Sequence, residues 1–383
     1  MSRAWRLADG PDRMATLAVF LANGFGMGAW AAAIPALKAH LALSDGQLSV
    51  ALFSFACGAF ISMPLAGWIG ARVRTGRATL AAGVAFAGVL VLPSLTEMLP
   101  LLCGAAALVG AGTGAVDVLM NVHAGTIERR RDAPIMSSFH AAYSLGGMAG
   151  AVLGGSLAGM GAGAILGAGA TLCGVVVLGA ARGMQAGVIA PAGNPLAVPG
   201  RALWTLGLLA LLALMIEGAV ADWSGTLIAQ GGADVRSASV GYGAFACAMA
   251  GGRLSGDWLV GRLGATRIVG AGGALAAVGL SLVTWVPTPL AGAAGFGLVG
   301  LGLANVVPAV FSATGRLGAA AAAAVLTAGY AGLLMGPVAI GSVATAANLS
   351  WGMAMLAVAA AVVSILAVTS VVFAPIRHGA EPR

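Results

Sequence analysis

Charge is the first thing this sequence lacks. Asp, Glu, Lys and Arg make up only 8% of its 383 residues, where a soluble domain carries about 25%. That excludes a water-soluble globular domain, and the mean hydropathy of +0.98 places the chain in a membrane. Cysteine is sparse too. Cys57, Cys103, Cys173 and Cys247 fall in apolar stretches, without C-x-x-C spacing or a neighbouring histidine. That pattern indicates neither a disulfide framework nor a metal site, and the four read as small packing residues. No G-x-x-x-x-G-K-S/T loop occurs, so a gradient rather than ATP must supply any energy. Paired catalytic carboxylates, a His-x-x-x-His pair and a nucleophile–base pair are also missing, which argues against an enzyme. No cofactor is expected. The longest loop is about 20 residues, too short for a signalling domain.

What is abundant is apolar length and glycine. Sixty-one glycines suit helices that approach closely in lipid. A span needs ~20 apolar residues, and twelve spans use nearly the whole chain. The apolar pattern predicts helices at roughly 14–36, 47–70, 78–95, 99–122, 136–158, 161–181, 202–225, 237–260, 265–286, 289–312, 319–345 and 350–373. The first run, Met14 to Leu37, is too long for the core of a cleavable signal peptide. Alternate loops and the two ends hold sixteen of the nineteen basic residues; the other loops hold Lys38 and Arg236, and Arg253 lies within a helix. The positive-inside rule then predicts both termini in the cytoplasm of a bacterial inner-membrane protein. The net charge of +7 is thus a topology signal, and no nucleic-acid partner is implied.

The stretch "RGMQAGVIAPAGNPLAVPGR", 182–201, is rich in Gly and Pro and reads as a cytoplasmic linker. It divides the chain into an N-terminal six-helix bundle, 1–181, and a C-terminal one, 202–383. A shift of 190 residues superposes the two. Gly28-Ala29 meets Gly218-Ala219, Phe55-Ala56-Cys57 meets Phe245-Ala246-Cys247, Trp68 meets Trp258, and Arg72 meets Arg262. Six helices per half give both halves the same orientation, a parallel repeat about an axis along the membrane normal. The expected fold is all-α and integral to the membrane, with twelve helices in two pseudo-symmetric bundles.

These features resemble the major facilitator superfamily. The loop "GWIGARVRTGR" (67–77) is similar to the family's G-x-L-a-D-R-x-G-R, and "DWLVGRLG" (257–264) is its second copy. The loop aspartate is replaced by Ala71 and Gly261, which leaves Asp257, one turn earlier, as a candidate gating acid beside Arg72 and Arg262. "GGMAGAVLGG" (146–155) and "GLLMGP" (332–337) resemble a glycine motif associated with antiporters, and also suit close helix packing. "DVLMN" (117–121) and "EGAVADWS" (217–224) resemble a bacterial branch of unassigned substrate, distantly like fucose-type sugar permeases. The resemblance implies a central cavity lined by spans 1, 4, 7 and 10, helped by 2, 5, 8 and 11.

Few ionisable residues fall inside the spans. Asp117 follows an uncharged run from Leu99 to Val116, and an acid there costs roughly 3 kcal/mol on insertion scales. Gly110, Gly114, Asp117 and Asn121 share one helix face, small and polar as a cavity wall should be. His123 falls off that face and reads as interfacial. Counted at 1.5 Å per residue from the span ends, Asp117, His140, Arg253, Asn305 and Asn23 form a polar layer in the cytoplasmic half. Glu217 falls in the periplasmic half, and its repeat counterpart is Met27, so the fold does not require its charge. Arg253 is predicted to pair with Asp257, at i, i+4, or with Asp117. Tyr143, Tyr242, Tyr330 and Trp30 read as either cavity wall or packing. The candidate proton-coupling or substrate-binding residues are therefore Asp117, Glu217, His140, Asn121, Asn305, Arg253 and Asn23. The expected function is secondary active transport of a small solute, coupled to protons, by a monomer in the lipid bilayer. A proton/drug efflux antiporter and a non-transporting receptor or sensor are the alternatives.

Overall fold

A computed structural model describes residues 3–43, 45–184, 187, 200–230, 235–286, 288–315 and 317–373. Most of the expected linker 182–201 lies outside these residues. Among them the regular structure is helical: α1 (Arg3–His40), α2 (Asp45–Gly70), α3 (Thr75–Leu90), α4 (Leu99–Arg131), α5 (Met136–Leu157), α6 (Ala162–Ala180), α7 (Gly200–Gln230), α8 (Val235–Leu263), α9 (Ala265–Trp285), α10 (Pro289–Leu303), α11 (Val306–Thr314), α12 (Ala319–Ala346) and α13 (Leu349–Thr369), with two short 3-10 turns. Taking α10 with α11, ten segments are long and apolar enough to cross a membrane. The other two of the twelve are α5 and α8. They carry His140, Tyr143, Ser144, Arg253 and Asp257, and that polar content lowers their hydropathy.

The packing repeats as the sequence does. Helix α1 packs on α5 and α6, α2 on α4, and α3 on α6; in the second group α7 packs on α12 and α13, α8 on α10, and α9 on α13. Glycine makes the closest crossings possible. A Cβ on Gly24 or Gly28 of α1 would overlap a backbone carbonyl of α5, and one on Gly146 or Gly150 of α5 would overlap a carbonyl of α1. In the second group Gly332 and Gly336 press on the carbonyls of Leu211 and Met215 of α7. The glycine runs at 146–155 and 332–337 thus perform the same task in both groups. Backbones in contact gain dispersion energy that side chains would forbid.

Helix ends differ from the expected ones. Helix α4 continues past 122 to Arg131, and α7 past 225 to Gln230, because hydrogen-bonded helix runs on beyond the apolar part that the sequence pattern detects. The last turn of α4 holds Arg129, Arg130 and Arg131, which complement the negative end of the helix dipole. Asp132 then turns left-handed at φ 52°, and Pro134 leads into α5. The tenth span is broken. Asn305 sits between α10 and α11 at φ −107°, ψ 3°, and its side chain bonds elsewhere.

Replacing Gly150 by Val is expected to separate α1 from α5. Overpacking typically costs ~1–3 kcal/mol, so the melting temperature in detergent should fall. The same change at Gly163, where a Cβ meets nothing within 4 Å, should leave it in place.

Candidate functional site

A cavity of about 180 Å³ lies between the two helix groups. Its polar lining is Asp117 of α4, His140 and Tyr143 of α5, Glu217 of α7, Arg253 of α8 and Tyr330 of α12; Met120, Leu214, Val307, Phe311, Leu326 and Leu333 complete the wall. Asp117, Glu217, Arg253 and Tyr330 all lie near the middle of their helices, so they meet at one level. The separate periplasmic placement expected for Glu217 is corrected. The helices overrun the apolar spans, α4 to Arg131 and α7 to Gln230, so depth within the helix differs from depth within the apolar run.

The carboxylate of Asp117 accepts a hydrogen bond from the Tyr330 hydroxyl at 2.8 Å, which crosses from the first helix group to the second. Arg253 donates to Ser144 Oγ at 2.6 Å, to the Ala304 carbonyl at 3.4 Å and to Glu217 Oε1 at 3.5 Å. It therefore touches both groups as well. The predicted partners of Arg253 are not the ones it takes. Asp257 points instead at the start of α5, where Ser138 N–H donates to it at 3.1 Å, and Arg13 lies 3.9 Å away. An i, i+4 spacing permits a pair but does not oblige it when each side chain has a better partner on another helix.

His140 lies between Phe20 and Phe311, with ring centroids 5.6 Å and 5.8 Å away. Asn121 Nδ2 donates to the Asp117 carbonyl at 2.8 Å, so its Oδ1 is the acceptor for His140 Nε2 at 3.2 Å. Asn121 thus stands behind the cavity wall and orients His140. Asn23 is buried behind it too, bonded to Thr113 at 3.2 Å and to Met120 sulfur at 3.9 Å. Asn305 bonds Ser137 at 2.8 Å and the Gly252 carbonyl at 3.0 Å, tying α5, α8 and the α10–α11 break together. Of the seven candidate residues, four line the cavity and three support or adjoin it. His123, expected at the interface, is fully buried: it bonds Asp12 at 3.0 Å and Thr75 at 2.8 Å. The residues not singled out are Tyr330 as the Asp117 partner and Ser144 as the Arg253 partner. Ser144 is one turn after His140 on α5, a spacing that offered a signal; the Tyr330 contact spans 213 residues and left none.

A second polar cluster joins the groups at the arginine-rich end. Glu128 Oε2 accepts from the Ile135 and Met136 N–H groups, each at 2.9 Å, and its other oxygen accepts from Ser312 of α11. Arg129 donates to the carbonyl of Gly315. Glu128 and Asp257 thus place two carboxylates at the N-terminus of α5, where the helix dipole favours negative charge. Gly256 lets α8 approach: a Cβ there would overlap Asn305 and crowd Ser137. The two gating-loop arginines do something else. Arg72 stacks 3.9 Å over exposed Trp68, and Arg262 5.6 Å over exposed Trp258, an arrangement suited to the headgroup level.

Comparison with known proteins agrees with this architecture. The model of the Major Facilitator Superfamily matches residues 16–331. The chain belongs to the Major Facilitator Superfamily. It is 34% identical to an uncharacterized MFS-type transporter of Yersinia pestis over 88% of this chain and 90% of that protein. It is 33% identical to the membrane protein MosC of Rhizobium meliloti, over 94% and 89% respectively. Among solved structures it resembles FucP in the outward conformation, with TM-score 0.76 and 15% identity over 92% of this chain and 97% of that one. The human organic anion transporter MFSD10 gives TM-score 0.78 and 15% identity over 93% and 99%. The protein is thus a membrane transporter and not an enzyme. In this superfamily member Ala71 and Gly261 occupy the acidic loop positions, and Glu128 and Asp257 bring carboxylates to the arginine-rich end.

Glu128→Gln and Asp257→Asn are each expected to loosen that end. A hydrogen bond to a charged group contributes about 1.5–3 kcal/mol, and each 1.4 kcal/mol is tenfold in population. A cysteine replacing buried Ala309, in a protein lacking its native cysteines, should react with maleimide roughly tenfold faster in either variant.

Proposed function

We propose that this superfamily member is a proton-coupled secondary transporter of a small polar solute, working by alternating access in the bacterial cytoplasmic membrane. Both termini face the cytoplasm, and the two bundles, 1–181 and 202–383, rock about the cavity as units. The observation that carries this reading is the meeting of two carboxylates, a guanidinium and two phenols in one cavity between the helix groups. An intramembrane acid is costly unless it serves a pathway. Among the described residues Asp117 and Glu217 each bond one polar side chain, Tyr330 and Arg253 respectively. Either carboxylate can therefore take a proton by releasing one contact.

The coupling follows from the same contacts. Tyr330 to Asp117 and Arg253 to Ser144 cross between the groups, as do the Glu128, Arg129 and Asp257 links at the arginine-rich end. With those links made, that end is shut and the solute enters from the opposite side. Protonation and solute binding rearrange the crossing contacts, and the equilibrium shifts toward the state open to the cytoplasm.

Proteoliposomes carrying the purified protein supply the test. Sugars, organic acids and amphipathic drugs are added in pools, and internal pH is followed. A responsive pool should move protons in the wild type, and Asp117→Asn or Glu217→Gln should reduce that movement by about tenfold or more, the factor carried by ~1.4 kcal/mol. Equal solute flux in all three proteins without a pH change would refute proton coupling at these acids.

A further inference from the structure

The pairing of Arg253 with Glu217 bears on the chemistry of the solute. Resting on the coupled-transport reading above, we propose that the solute is a small hydroxylated organic anion. Its carboxylate replaces Glu217 on Arg253 when Glu217 accepts a proton.

The argument begins with a charge that cannot be removed. A guanidinium stays protonated in proteins, and the Arg253 side chain is 9% exposed. Two of its contacts are neutral oxygens, Ser144 Oγ and the Ala304 carbonyl. Its counter-charge among the described residues is Glu217, at 3.5 Å. That separation exceeds the ~2.7–2.9 Å of a tight charge-assisted bond, so the pair is loose and monodentate. Asp117 is engaged with Tyr330 at 2.8 Å and makes no ion pair with Arg253 within 4 Å.

Suppose now that Glu217 takes a proton. Arg253 loses its ion-pair partner while its side chain stays mostly buried, and a buried charge stripped of its partner is strongly destabilised. A carboxylate arriving with the solute restores the balance and can bind the planar fork with both oxygens. Proton and anion therefore favour each other's binding. The step is balanced: one proton goes onto Glu217, one carboxylate moves onto Arg253, and the cavity's net charge is unchanged. An ammonium solute would fare worse, because it would set a second cation beside a guanidinium whose counter-charge has gone. A neutral sugar would leave Arg253 unpaired.

The rest of the lining fits hydroxyl groups. His140, Tyr143 and Tyr330 line the cavity and offer a ring nitrogen and two hydroxyls. The volume of about 180 Å³ equals roughly six waters at ~30 Å³ each, which limits the solute to a small one.

Three probes that share a hexose ring separate the possibilities: D-glucuronate, D-glucose and D-glucosamine. Binding of each to the purified full-length protein in detergent is measured by calorimetry between about pH 5 and about pH 8. D-glucuronate stays ionised throughout that range. It should bind best, and its affinity should fall toward tenfold per pH unit as pH rises, because one proton is taken up with each anion. Glu217→Gln should keep the binding and lose the pH slope. Arg253→Gln should lose the binding, with its melting curve showing that it is folded. Tighter binding of D-glucose or D-glucosamine, silence from all three probes, or an intact pH slope in Glu217→Gln would overturn the proposal. This readout needs no flux. If Asp117→Asn alone abolished proton movement in liposomes while glucuronate failed here, coupled transport would stand and the anion assignment would fall.

Discussion

One guanidinium organises the centre of this transporter. Arg253 cannot shed its charge, is mostly buried, and bonds Ser144 of one helix group and Glu217 of the other. Its position calls for a compensating negative charge nearby, and Glu217 lies 3.5 Å from it. Asp117 is spared the task and is left to Tyr330. Two acids beside one arginine thus have distinct surroundings, set by their partners rather than by residue type.

The frame around this charge is built from the smallest residues. Glycines on α1, α5 and α12 let backbones touch within each group, which makes the groups firm bodies. Between the groups the polar links are carboxylates at the start of α5, a serine on Glu128 and a phenol on Asp117, beside close packing of α2 on α12, where Gly67 faces Ala319 and Ala323. Apolar backbone packing is retained in any rigid-body motion, whereas hydrogen bonds between bodies can be exchanged for others or for water at modest net cost.

Much of the fold was legible because a membrane leaves few choices. Backbone groups must be satisfied within each span, so apolar length alone marks helices, and the 190-residue repeat pairs them. Asp117, His140, Glu217 and Arg253 stood out because charge and imidazole are rare in hydrocarbon. Their partners did not. Tyr330 looks like any apolar-helix aromatic until α12 is laid against α4. The Arg253–Asp257 spacing suggested a pair that tertiary contacts replaced. His123 turns inward to Asp12, a residue that precedes the apolar run and so carries no signal of the contact, and Asn305 gives no sign that it breaks its span, since an asparagine in a helix is ordinary. Local spacing carries intrahelical geometry; contacts across helix groups depend on which faces turn toward each other.

The most direct test follows the two ends of the molecule at once. Spin labels replace exposed Arg74 and Arg267 at the arginine-rich end, and Glu97 and Trp285 at the opposite end. Each pair is measured by double electron–electron resonance from about pH 8 to about pH 5 in the presence of D-glucuronate, in wild type and in Glu217→Gln. If counter-charge exchange at Arg253 sets which end is closed, one distance should lengthen as the other shortens, and Glu217→Gln should resemble the wild type at low pH. Distances that stay fixed, or that change in the same sense at both ends, would contradict the account.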